Sequence, residues 1–296
     1  MADPNKILFI GESSAGKTCA LASLLSAGYN VRVIDTDNGL SALKNIMEDP
    51  QSKYEKGSLE RLSYITLTEP MRMAAGRIIP ARATVWNKAV AMLNDWKNDD
   101  PLLGTVCSLG GVQSWTEKDV LVIDTLSTMS QAAVNFHLGI NGAIGAIRTS
   151  NEGRRDIGAA QQLIRSMLQL LYDVSVKCHV IINSHVTYVR QDGSGDLTPG
   201  ENAPTQGFPS SIGRALSPEI PRYFNAVLMA KVMGAGAATR RRIYTISQGN
   251  VNLKNVAPMR VAPEYAQESG LAEYFKAVKG ETKPDATIPN PNSAAA

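Results

Sequence analysis

Short apolar runs alternate with amphipathic stretches along most of this chain. Lys6-Ile7-Leu8-Phe9-Ile10 is a continuous apolar run, the pattern of a strand covered on both faces. Cys19 to Ser26 has the composition of a helix, stopped at Gly28. Val31–Asp35 predicts a second strand, which closes on the acidic turn Asp35-Thr36-Asp37-Asn38-Gly39 and is followed by a helix over 40–48. Leu62 to Thr68 alternates with period two and runs into Glu69-Pro70. Over 83–97, Val85, Ala89, Met92, Leu93 and Trp96 recur at helical spacing on one face.

Residues 98–118 are irregular, with Gly104, Gly110 and Gly111, and suit a small hairpin insertion. Asp119–Asp124 predicts another strand and 126–136 a helix. A Gly-, Asn-, Ser- and Arg-rich stretch at 139–158 reads as a loop, 159–176 as a long helix, and Cys178–Asn183 as a strand. A second long loop, rich in Pro and Gly, covers 188–219; loops of this length in a compact domain are usually functional or disordered. Strands at 226–233 and 241–248 form an antiparallel hairpin around Gly234-Ala235-Gly236, extended by a short strand near 251–254. The segment 280–296 reads as a disordered tail. Strand–helix alternation from 6 to 183 predicts an α/β fold over 1–279, with a mostly parallel central sheet flanked by helices. A ligand then belongs at the carboxyl ends of the strands.

Composition narrows this further. The 296 residues can bury a large core at 44% hydrophobic content, and 6% aromatics argue against an all-β sandwich. A net charge of +3 leaves any nucleic-acid affinity to local patches. No run is apolar enough to cross a membrane, and the N-terminus lacks a signal-peptide pattern, so a cytoplasmic setting is expected. Cys19, Cys107 and Cys178 are spaced for neither a metal motif nor a disulfide framework.

Candidate chemistry begins at Gly11-Glu12-Ser13-Ser14-Ala15-Gly16-Lys17-Thr18, which fits G-x-x-x-x-G-K-[ST] between a strand and a helix. In such a loop, glycines let backbone N–H groups of residues such as Ser13, Ser14, Ala15 and Cys19 turn toward phosphate oxygens. The helix N-terminus adds its dipole. Lys17 reaches the β- and γ-phosphates, and Thr18 offers a hydroxyl to Mg²⁺, so ATP with Mg²⁺ is the expected ligand. Asp124 closes an apolar strand and suits the second Mg²⁺-binding position. Asp37 and Glu69, both at strand ends, are candidates to orient water; Asp35 lies further back and reads as structural. His185, just beyond the strand that ends in Asn183, is placed to sense the γ-phosphate.

The segments 11–18, 33–39, 120–125 and 180–185 resemble, in order and spacing, a RecA/Rad51-type ATPase core. More narrowly, 68–72, 111–115, 216–224 and 253–258 look like short phage-type RecA-like proteins associated with single-strand annealing and recombination. The resemblance implies a RecA-like P-loop NTPase fold. It matches Asp37 to a catalytic glutamate; Asp is one methylene shorter, which implies slow hydrolysis. It matches His185 to the γ-phosphate sensor and Lys254 to a basic residue inserted into a neighbouring subunit's ATP site. It implies that the two long loops touch DNA, through Arg148, Arg154 and Arg155 in one and Arg190, Phe208 and Arg214 in the other, with phosphate tracking by Arg and stacking by an aromatic ring. Arg240-Arg241-Arg242 could bind DNA, bind a neighbour, or guard a sheet edge. The chain reaches its first strand at once, without the preceding segment that strings recombinases into filaments, so a ring or short homo-oligomer is expected as much as a filament.

The leading expectation is a DNA-stimulated ATPase that binds single-stranded DNA as an oligomer and promotes annealing or recombination in phage DNA metabolism. A replication-linked motor or helicase loader is a second reading. A nucleotide-gated assembly protein with little turnover is a third.

Overall fold

The computed structural model describes residues 3–100, 105–190, 205–213, 215–234 and 236–281. Its first half contains β1 (Lys6–Gly11), α1 (Lys17–Ser26), β2 (Asn30–Asp35), α2 (Leu40–Glu48), β3 (Leu62–Thr66), β4 (Met71–Ala74), β5 (Arg77–Pro80), α3 (Val85–Asn94), β6 (Lys97–Asp100), β7 (Thr105–Ser108) and β8 (Asp119–Asp124). The second half contains α4 (Leu126–Ile140), α5 (Ser150–Tyr172), β9 (His179–Ser184), β10 (Val186–Arg190), β11 (Thr205–Pro209), β12 (Ala226–Met233), β13 (Arg240–Tyr244), β14 (Glu264–Ala266) and α6 (Gly270–Lys279).

Eight strands form one sheet in the order β14-β13-β12-β1-β9-β8-β2-β3. The six from β12 to β3 are parallel, and β13 and β14 join antiparallel at one edge. Alternation along β1 divides the core. Ile7 and Phe9 pack on the side of α1 and α6 with Leu21, Leu24, Tyr274 and Phe275. Leu8 and Ile10 pack on the other side with Trp96, Met129, Ile164 and Leu168 from α3, α4, α5 and their flanks. Every residue of β1, β8 and β9 is buried, which explains the apolar runs at their centres, Ile7–Ile10, Val120–Ile123 and Val180–Ile182. The parallel strands all deliver their carboxyl ends to one rim.

Several boundaries depart from the sequence reading. Residues 150–158 are helix, not loop: α5 begins at Ser150, nine residues before the expected start. Thr149 and Glu152 form a capping box, with the Glu152 carboxylate accepting from Thr149 N at 2.9 Å and Thr149 Oγ1 accepting from Glu152 N at 3.4 Å. Gly153 and Gly158 each cost about 1 kcal/mol in a helix interior. The buried face of Ala160, Ile164, Met167, Leu168 and Leu171 outweighs them.

The 188–219 stretch contains strand as well: β10 and β11 pair antiparallel from Val186↔Pro209 to Arg190↔Thr205. Residues 191–204 and 282–296, the bulk of the expected tail, lie outside the described residues. The insertion does hold a hairpin, β6–β7, but a second hairpin, β4–β5, was not anticipated. Near 251–254 there is no strand. Lys254 makes one bridge to Val227, on β12 below the point where β13 begins to pair, and β14 takes the sheet edge instead. α6 was also missed.

Candidate functional site

At the carboxyl end of β1 the chain turns through residues 11–16 into α1. Gly11 passes so close to β12 that a Cβ there would sit 2.5 Å from Ala230 O, a backbone atom that cannot give way. Gly16 has φ +92°, a left-handed conformation that glycine adopts without strain. Lys17 is 5% exposed, and its Nζ donates to Gly11 O and Glu12 O, both at 2.9 Å. Burial lowers its pKa, while Asp124 and Asp37 act to raise it. The ammonium therefore lies directly over the loop.

Thr18, the next residue, donates to Asp124 Oδ2 at 2.6 Å and so joins the first turn of α1 to the end of β8. Burial pushes the Asp124 carboxyl up in pKa, against the Thr18 hydrogen bond. Thr36 pins the end of β8 to that of β2, with its Oγ1 accepting from Thr125 N at 3.0 Å and donating to Asp124 O at 3.1 Å. Hydroxyl plus carboxylate is a hard-oxygen donor pair. Among the described residues no group of three or more His, Cys, Asp or Glu could hold a metal by itself. That combination fits Mg²⁺, which is commonly held by one or two protein oxygens together with substrate phosphates.

The two acids after β2 have different surroundings. Asp35 is 1% exposed, and its Oδ1 accepts from Asp37 N at 3.1 Å and Gly39 N at 3.2 Å; it shapes the turn. Asp37 reaches into the cleft. Its carboxylate accepts from Thr125 Oγ1 at 3.2 Å and from Thr128 Oγ1, and lies 3.5 Å from His185 Nε2. Glu69 is committed elsewhere: it accepts from Thr84 N at 2.8 Å and Val85 N at 3.4 Å at the start of α3, and it is not among the residues that line the cleft.

The cleft, of about 650 Å³, brings together Ser13, Ser14, Gly16, Lys17, Thr18, Cys19, Asp37, Asp124 and His185. Thr125, Arg241 and Gln267 also line it, and sequence reasoning had missed all three. Arg241 Nε donates to Ser14 O at 3.4 Å, and Gln267 Nε2 to Gly16 O at 3.2 Å. The basic run 240–242 was visible in the sequence. Which of its members faces the loop depends on the pairing of β13 at the sheet edge.

The expected DNA-contacting residues are scattered. Arg148 is engaged within the molecule, donating to Asp156 at 2.8 and 3.2 Å and lying 3.7 Å from Glu152; His137 Nε2 adds a 3.2 Å contact to the same Asp156. Arg154 and Arg155 are exposed, but on α5 rather than on a loop. Phe208 is only 8% exposed, because β11 turns it into the interior, so it offers no open ring face for a base. Arg190 closes β10, its side chain outside the description, and Arg214 lies outside the described residues altogether. Lys254 is exposed and is not among the residues lining the cleft.

A phosphate loop at the end of a central parallel strand, with one acid closing β8 and another just beyond β2, is the arrangement of a P-loop NTPase. The chain belongs to the AAA domain family AAA_24, whose family model matches residues 3–255. No curated protein sequence matches it. Similar solved structures include the flagellar accessory protein FlaH from Methanocaldococcus jannaschii, at 12% identity and TM-score 0.38 over 89% of this chain and 84% of that one. The RadB recombinase is similar at 13% identity and TM-score 0.43 over 91% and 90% of the two chains. The KaiC-like protein PH0186 from Pyrococcus horikoshii OT3 is similar at 9% identity and TM-score 0.37 over 81% and 77%. Among the described residues no helix is long and apolar enough to cross a membrane.

Proposed function

We propose that this chain is a slow ATPase that binds single-stranded DNA as a homo-oligomer and promotes strand annealing or recombination. The observation that carries the ATPase reading is the Asp37 carboxylate, held by Thr125 and Thr128 and 3.5 Å from His185 at the cleft that contains Lys17 and Thr18. The loop amides and Lys17 hold the phosphates. Asp37 orients water, and His185 reads the terminal phosphate. Thr18 and Asp124 would hold Mg²⁺, which would supply neutralising charge to the phosphate oxygens. His185 separates β9 from β10, so a change at the Asp37–His185 contact reaches the β10–β11 hairpin directly. The exposed Arg154 and Arg155 and the half-exposed Tyr188 are the groups that support contact with a single strand, through phosphate and base respectively. Lys254 is proposed to serve a neighbouring subunit.

A nucleotide-gated assembly protein with little turnover is the second reading. It is favoured by the short Asp37 side chain, whose lone pairs are largely occupied by the threonines and His185. ATP turnover measured with and without a single-stranded oligonucleotide, at two salt concentrations, separates the two. Stimulation that fades with salt supports the DNA-coupled reading. ATP binding without stimulation supports gated assembly. Lys17→Ala abolishes ATP-dependent behaviour in either case; unchanged turnover in that variant overturns the site assignment.

A further inference from the structure

The nucleotide cleft is built from both halves of the sheet. Asp37, Asp124 and His185 come from β2, β8 and β9, all on one side of β1. Arg241 and Gln267 come from β13 and the residue after β14, on the other side. The two groups therefore flank the phosphate loop from opposite directions.

Arg241 stands over the outer wall of that loop. Its side chain approaches so closely that a Cβ on Gly16 would meet Arg241 Cδ at 2.9 Å. Its 3.4 Å bond to Ser14 O is long for a guanidinium, which has five donors arranged in a fork. Arg241 also lies near Cys19: burial raises the pKa of that thiol, and the Arg241 charge opposes the rise. The backbone of a phosphate loop and the start of its helix face the α- and β-phosphates, whereas the lysine reaches the β- and γ-phosphates. Arg241, beside Ser14 and Gly16, is therefore at the α- and β-phosphate end of the loop.

We propose that Arg241 is a phosphate ligand supplied by the same subunit, binding the α/β-diphosphate portion of a nucleoside di- or triphosphate and taking no part in γ-phosphate cleavage. Gln267 holds Gly16 O and keeps the loop in the shape that the guanidinium spans. The proposal rests on the nucleotide-site reading. Its neighbour Arg242 lies 4.0 Å from Glu264 instead, and of the three basic residues only Arg241 lines the cleft.

The test is titration of fluorescent ADP and ATP analogues against the full chain, with Arg241→Gln, Arg241→Lys, Gln267→Met and Lys17→Ala beside wild type. Loss of one charge-assisted phosphate contact is expected to weaken both nucleotides by the same factor, about ten- to a hundred-fold. Arg241→Lys should recover part of the loss, because lysine keeps the charge and lacks the fork. The affinity of wild type should fall with salt more steeply than that of Arg241→Gln. Unchanged ADP affinity in Arg241→Gln overturns the proposal, as does weakening of ATP alone. An equal loss in Gln267→Met with an unaltered salt slope in Arg241→Gln also overturns it, because loop bracing then explains the effect. If Arg241→Gln does not fold, full wild-type affinity in Arg241→Lys counts against the forked contact and a partial loss supports it. If Lys17→Ala binds ADP as tightly as wild type, the nucleotide-site reading itself fails.

Discussion

On the roles proposed above, Asp37→Asn separates water orientation from the other tasks in the cleft. The substitution is nearly isosteric, and the hydroxyls of Thr125 and Thr128, at present donors to the carboxylate, can rotate to accept from an amide. Asp37 makes no hydrogen bond to the phosphate loop among the described residues, so nucleotide affinity should stay within about twofold of wild type and unfolding free energy within about 0.5 kcal/mol. Turnover should fall. Removing a positioned base costs roughly 10²–10⁴ in rate, which is about 2.7–5.4 kcal/mol of barrier. Glu69→Ala is the matched control. It removes the acceptor for Thr84 N and Val85 N at the start of α3, and losing such a cap costs about 0.5–2 kcal/mol of stability. Its turnover should not change. Saturated ATPase rates and urea unfolding of both variants give the two readouts. The reasoning is refuted if Asp37→Asn turns over normally, or if Glu69→Ala loses turnover while its stability is unchanged.

Three further outcomes follow from the fold. His179 is 2% exposed, held between Tyr29 and Phe275, and burial lowers its pKa from 6.5 to about 3. The unfolded chain therefore binds an extra proton between those values, so stability should fall as pH drops from about 6.5 to 3; His179→Gln should flatten that slope in acid-unfolding titrations. Asp119 accepts from Arg32 at 2.7 Å and from Thr116 N at 2.8 Å, and Arg32 is buried beneath Trp115; Asp119→Ala should cost about 3–5 kcal/mol in denaturant unfolding, and far less when combined with Arg32→Leu. Thr149→Ala should lose about 1 kcal/mol and raise amide exchange at the first turn of α5, whereas a loop at 150–158 would exchange rapidly in wild type as well.

Much of the site was legible because phosphate binding imposes a fixed local spacing. Gly11 to Thr18 lie within one turn and one strand end, so their arrangement needs no long-range information. Asp124 was readable for a related reason: an apolar strand closing on an acid reaches the same rim as the loop. The separation of Asp35 from Asp37 could also be read, since alternation puts the first back toward the strand and the second into the open turn. The start of α5 was lost because Gly153 and Gly158 speak for a loop, while the capping box at Thr149 and the apolar face beyond Ala160 decide for helix. Arg148 and Phe208 looked available in the sequence, yet an ion pair with Asp156 and burial in β11 withdrew them. Arg241 and Gln267 were unreadable as site residues, because they lie more than two hundred positions from the loop they touch and reach it only through sheet order.

That sheet order bears on the synthesis of the protein. The loop is formed by residues 11–16, but its outer wall comes from Arg241 and Gln267, and its helix packs against Leu271, Tyr274 and Phe275 of α6. The phosphate motif is thus translated more than two hundred positions before the residues that brace it. The complete cleft needs Gln267 as well as the loop at 11–16, so a nucleotide bound there would favour the folded state by holding together elements far apart in sequence.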